Sequence, residues 1–151
     1  MSLPSFIIVL CSFFGLSLSV FIYIKKRRKK TLVCPIGHSC DPVVHSDYSR
    51  FMGIPVEILG ILYYLLILVS YSAFLAYPSI KTGEVGSALL IISALAFLFS
   101  GYLTLVQAFV LKEWCTWCLI SATLCTIIFF AALQLSGFEI TTVVGELGIL
   151  R

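Results

Sequence analysis

Residues 114–135 read WCTWCLISATLCTIIFFAALQL. Cys115 and Cys118, three positions apart, stand directly before an apolar run over 119–135. A helix over that run puts both cysteines on one face of its first turn. The spacing suits a disulfide, whose Cα atoms lie about 4.4–6.8 Å apart. It equally suits two thiols, so the pair can cycle. A helix N-terminus supplies unsatisfied N–H groups and the positive end of a dipole. Both favour a thiolate, the form that attacks disulfides. CxxC pairs also hold zinc and haem. What sharpens this one is its place at the edge of a membrane-length apolar run.

The 151 residues are 60% hydrophobic and 11% charged, with a mean hydropathy of +1.10. Soluble domains are nearer half apolar and a quarter charged. The chain therefore reads as an integral membrane protein, all-α, with 1–151 forming one domain and no room for a large soluble module. Spans need ~20 apolar residues, and four are expected, at about 3–24, 54–77, 87–110 and 115–135. The positive charges follow the first span instead of preceding it, so it reads as a retained helix and not a signal peptide. Cys11 within it reads as a small buried hydrophobe. The cluster Lys25-Lys26-Arg27-Arg28-Lys29-Lys30 reads as a charge anchor on the cytoplasmic face. No other basic or aromatic surface supports nucleic-acid binding.

The polar stretch 31–53, TLVCPIGHSCDPVVHSDYSRFMG, holds Cys34, Cys40 and both histidines, His38 and His45. Pro35, Gly37 and Pro42 predict a turned loop. Ser46 or Asp47 is expected to cap a short surface helix through Tyr48, Arg50 and Phe51, ended by Gly53. Tyr48, Phe51 and Met52 would then lie along the membrane surface as a lid. Pro55 suits the first turn of the second span, and Glu57 suits its dipole and the interface. Tyr63, Tyr64 and Tyr71 put polar tips inside that span. Ser93, Ser100, Gly101 and Thr104 suit close packing of the third span. Gln107 is polar and near the CxxC, and Trp114 and Trp117 suit an interfacial aromatic belt. Cys125, two turns below Cys118, reads as core filler. Counting crossings puts the 31–53 loop and the CxxC on one side of the membrane. Four cysteines thus converge at one end of a four-helix bundle, as an electron relay requires.

Two readings of other kinds compete. Cys34, His38, Cys40, His45, Cys115 and Cys118 could furnish a tetrahedral zinc shell, although the loop spacing is looser than in common zinc motifs. A membrane scaffold with one inert disulfide is the other.

Taken together, Cys34-x5-Cys40, Asp41-Pro42-Val43-Val44-His45-Ser46, Gly53-Ile54-Pro55, Gly60, Tyr63-Tyr64 and Cys115-Thr116-Trp117-Cys118 resemble the vitamin K epoxide reductase family, its prokaryotic disulfide-forming members above all. The resemblance runs over about 31–135. It implies a four-helix bundle enclosing a quinone, of the menaquinone or ubiquinone type, next to the CxxC. By the same resemblance Cys118 passes electrons to the quinone and Cys115 is its disulfide partner. Cys34 and Cys40 shuttle electrons from a thioredoxin-like protein, with Cys40 forming the transient bridge to Cys115. Prokaryotic members often carry that thioredoxin-like domain fused; none follows here, so a separate protein is expected. Ser46 matches a family serine near the pocket, and Leu59, Tyr63 and Tyr64 are expected to line it. In animal members two polar side chains grip the vitamin K carbonyls. Aligned on Gly60 and Cys118, those positions fall on Val56 and Ala122, both apolar. A respiratory quinone held mainly by packing is the expectation, with vitamin K epoxide reduction as the alternative.

Charge gives an orientation. Lys25, Lys26, Arg27, Arg28, Lys29, Lys30, Arg50 and Lys112 fall on the cysteine side, against only Lys81 and Arg151 on the other. The positive-inside rule then turns the cysteines toward the cytoplasm, opposite to the usual family orientation. Cytosolic disulfides are common in hyperthermophiles, and the absence of Asn from the chain fits a hot habitat.

Overall fold

The computed structural model describes residues 3–29, 47 and 50–136. The order is helix α1 (Leu3–Arg27), strands β1 (Arg50–Phe51) and β2 (Ile54–Pro55), α2 (Val56–Ala76), a 3-10 turn at Pro78–Ile80, α3 (Gly83–Leu105), a π-helical stretch at Val106–Leu111, and α4 (Thr116–Leu135). Four helices are long and apolar enough to cross a membrane, the third continuing through the π stretch to Leu111. The protein is a multi-pass membrane bundle.

α1 packs against α2 and α4, and α3 packs against α4. α2 and α3 share no comparable interface among the described residues, so the bundle is an arc with a seam between them. Near mid-span, a hydrogen bond from the Tyr63 hydroxyl to Ser93 Oγ, at 3.4 Å, ties the seam. The core gathers Ile8, Tyr64, Ile67, Phe74, Leu89 and Ile128. Leu62, Val69, Leu98 and Phe109 point outward, where lipid replaces water as their solvent. Gly15 lets α1 and α2 close up, since a Cβ there would collide with the Tyr64 ring. A second cluster, Ile22 and Cys115 with Leu18, Leu111, Trp117 and Cys118 around them, holds α1 to the CxxC end of α4. The Phe21 and Trp117 rings, 5.4 Å apart, add to the same joint.

Before α2 the structure departs from the expected surface helix. Arg50 and Phe51 form an antiparallel ladder, Arg50 opposite Pro55 and Phe51 opposite Ile54. Met52 and Gly53 make the connection, with φ of +52° and +84°. Two successive positive φ angles describe the two-residue turn that matches strand twist, and glycine suits its second position. The positive φ read as a helix stop at Gly53 is thus a hairpin turn. Asp47 lies in a 3-10 turn, while Ser46 and Tyr48 are outside the described residues. Pro55 is the N-cap of α2 and not in its first turn. α3 starts earlier than 87 because the Thr82 side chain caps it, accepting from Val85 N–H at 3.4 Å.

Candidate functional site

Cys115 is the N-cap of α4, in extended backbone. Its sulfur accepts a hydrogen bond from the Cys118 backbone N–H at 3.3 Å, the bond a cap side chain makes to an orphan donor. Cys115 has no exposed surface, while Cys118 is partly open. The Cys118 thiol as donor, above all, holds the Cys115 pKa below the ordinary thiol value; the backbone N–H groups of Cys118 and Trp117 help, against burial and the nearby Glu57. Negative charge in the reduced pair therefore settles on Cys115. Both sulfurs are free thiols here, as are Cys11 and Cys125.

Cys118 opens on a cavity of about 340 Å³, within the size range of small-molecule sites. α2 contributes Val56, Glu57, Leu59, Gly60, Tyr63 and Tyr64. α3 supplies Leu95, Ala96, Phe99, Ser100, Leu103 and Thr104 from the opposite wall. The cavity thus occupies the seam between α2 and α3, on the cysteine side of the Tyr63–Ser93 bond. The hairpin packs against a residue of its α3 wall, the Phe51 ring 5.4 Å from Phe99. At the bottom the Tyr64 hydroxyl donates to the Ser121 carbonyl at 2.8 Å and lies 2.9 Å from Ser121 Oγ.

Of the residues expected at the pocket, Val56, Leu59, Tyr63 and Tyr64 line it with Cys118. Ala122 does not; Ser121 and Cys125 do. Helical spacing alone does not decide between them, because 121, 122 and 125 all lie within reach of the face that carries 118; the cavity meets the Ser121 edge of that face. Cys125 is therefore both core filler and cavity wall. Cys34, Cys40 and Ser46 lie outside the described residues. Glu57 is more than an interfacial carboxylate. It lines the cavity and pairs with Lys26 across α1 and α2, both oxygens 3.3 Å from Nζ, with side chains only 9% and 14% exposed. Gln107 is 4% exposed, lines the cavity, and accepts from Cys115 N–H at 3.2 Å. Its signal in the sequence is the polar series Ser93, Ser100, Thr104, Gln107 on one face of an otherwise apolar span.

A dithiol at a helix N-cap, opening on an apolar cavity within a four-span bundle, is an arrangement suited to membrane-embedded thiol redox chemistry. The family model of the vitamin K epoxide reductase family matches residues 6–133, and the chain belongs to that family. Membership assigns it thiol–disulfide and quinone reductase chemistry in the membrane. A comparison with curated proteins finds no match.

Proposed function

We propose that the chain oxidises the dithiol of a thioredoxin-like protein to a disulfide and passes the electrons to a quinone, through Cys34, Cys40, Cys115 and Cys118. The partner's thiolate attacks the Cys34–Cys40 bridge and the partner departs oxidised. The freed Cys40 thiolate attacks Cys115 of the Cys115–Cys118 disulfide and releases Cys118 as the thiolate beside the quinone. Cys34 then displaces Cys115 from Cys40 and restores the loop bridge. Cys115 re-forms its bond to Cys118 as two electrons and two protons leave with the quinone as quinol. Every step but the last is thiol exchange, and in the last the quinone oxidises the dithiol, so direction follows reduction potentials throughout.

The observation that carries this reading is that Cys118 opens on the cavity while Cys115, which must exchange with a donor, has no exposed surface. A soluble donor needs an internal carrier to reach it. The seam between α2 and α3 offers a lipid-facing path for an isoprenoid tail. Val56 gives the cavity an apolar wall and Ala122 stands outside it, which favours a respiratory quinone held by packing over vitamin K epoxide.

The test is quinone reduction by purified chain with either dithiothreitol or a reduced thioredoxin-like protein. Cys118→Ala is expected to abolish turnover with both donors. Cys34→Ala is expected to block the protein donor and spare dithiothreitol. If the two variants are equally dead with dithiothreitol, the relay order is wrong.

In the cell we place the cysteine end in the cytoplasm of a prokaryotic membrane. The fold supports this: Lys25, Lys26 and Arg27 end α1 beside the CxxC with Arg28 directly after them, Lys112 joins α3 to α4 there, and Lys81 lies at the opposite end. Each such residue near an anionic leaflet is worth about 1 kcal/mol.

A further inference from the structure

Gln107 sits in the π stretch Val106–Leu111, and such stretches recur at functional sites. Its side-chain oxygen accepts from the Cys115 backbone N–H. That N–H can only donate, so the amide is oriented: oxygen toward Cys115, NH₂ away. The NH₂ has no hydrogen-bond partner among the described residues. Every buried side-chain nitrogen or oxygen among them does have one, so this nitrogen is reached from the cavity its side chain lines. An unpartnered donor facing an apolar chamber is unfavourable by itself.

Other polar groups of the lining are placed differently. The Tyr63 and Tyr64 hydroxyls and Thr104 Oγ1 already donate to Ser93, Ser121 and Ser100. Glu57 is held by Lys26 and, as a carboxylate, offers only acceptors. Ser19 and Ser100 reach the cavity with hydroxyls that donate or accept alike. Gln107 alone combines a donor-only group with a direct link to the CxxC backbone.

Resting on the quinone-reductase reading above, we propose that the Gln107 side-chain NH₂ donates a hydrogen bond to a quinone carbonyl and registers the ring against the Cys115–Cys118 pair. One end of the amide holds the cap residue of α4, and the other holds the substrate oxygen. Charge grows on that oxygen as two electrons arrive from the dithiol, so the bond strengthens along the reaction. The two protons come from the thiols, and the amide transfers none.

The experiment compares binding of menadione and of 2-methylnaphthalene, which has the same ring and no carbonyl, to the full chain carrying Cys118→Ala in detergent. The readout is quenching of tryptophan fluorescence. Gln107→Leu is expected to weaken menadione roughly tenfold and leave 2-methylnaphthalene unchanged, which corresponds to about 1.4 kcal/mol. Gln107→Glu keeps an acceptor for Cys115 N–H but donates only when protonated. Its menadione affinity is therefore expected to fall as pH rises through the carboxyl titration, while the affinity of the Gln107 chain stays level. Equal losses for both molecules in Gln107→Leu, or a level pH profile in Gln107→Glu, would overturn the assignment as mere cavity shaping. Unchanged menadione affinity in Gln107→Leu overturns it too and leaves the quinone reading standing. A Gln107 chain that binds neither molecule overturns both.

Discussion

Adding one methyl group where α1 crosses α2 should reach the substrate cavity. A Cβ on Gly15 would occupy the space of the Tyr64 ring. Tyr64 is 1% exposed, and its hydroxyl is fixed to Ser121 by the 2.8 Å bond, so the ring cannot simply swing away. Gly15→Ala then either strains the crossing or breaks that bond. Overpacking a tight interior costs about 1–3 kcal/mol, and losing the hydrogen bond adds about 0.5–1.5 kcal/mol. Helix propensity returns up to about 1 kcal/mol to alanine, leaving a net loss near 1–3 kcal/mol. Because Tyr64 also lines the cavity, the quinone KM should rise together with the loss of stability. Equilibrium unfolding in mixed detergent micelles measures the first, and dithiothreitol-driven quinone reduction the second. Adding Tyr64→Leu to Gly15→Ala should cost less than the sum of the two single changes, since the shorter side chain vacates the collision. A Gly15→Ala chain as stable as the parent with the same quinone KM refutes the reasoning, and so does strict additivity in the double variant.

Three further outcomes are expected. Without reductant, Cys118→Ala should accumulate a Cys40–Cys115 bridge, because the thiol that would resolve it is gone; peptide mapping that finds Cys34 on Cys115 instead would exchange the roles of the loop pair. In a chain keeping only Cys115 and Cys118, thiolate absorbance at 240 nm should appear below the ordinary thiol range, and Cys118→Ala should move it upward by removing the main donor to the Cys115 sulfur. The sign for stability follows: a lowered pKa adds stability above the ordinary thiol value, which fades as pH falls through the lowered one. On intact reduced cells, a membrane-impermeant maleimide should leave Cys34 and Cys40 unlabelled until lysis; labelling without lysis would place the cysteine end outside the cytoplasm.

Apolar run length set the four spans, since a bilayer core demands about 20 residues whatever their order. The side of each residue was harder to read. The spans are apolar nearly all round, so periodicity does not separate lipid-facing from cavity-facing positions. Ala122, taken from the alignment on Cys118, lies outside the cavity lining, while its neighbour Ser121, about a quarter turn away, lies in it. Polar residues within the spans carried the missing information. Read as packing elements, Ser100 and Thr104 hid the cavity wall they form. Glu57 read as an interfacial charge because its partner Lys26 is 31 positions away in sequence. The hairpin before α2 was missed because a glycine at positive φ ends a helix and closes a hairpin equally well.

The cap geometry makes the two thiols of one CxxC unequal, and the proposed relay needs that inequality. Cys115 sulfur accepts from a backbone N–H of its own helix and has no exposed surface for a folded donor protein to reach. Cys118 faces the cavity, and its thiol is the main group that lowers the Cys115 pKa in the reduced pair. When a loop cysteine binds Cys115, that sulfur can no longer hold charge, and the acceptor for the Cys118 proton disappears. In the proposed relay this is the moment when the Cys118 sulfur, released from its disulfide, must face the quinone. In the proposed relay a mixed disulfide at Cys115 thus delivers the electrons and frees the sulfur that passes them on. With the pair oxidised to its own disulfide, neither sulfur carries charge, and the quinol oxygen meets no competing anion from the dithiol as it leaves.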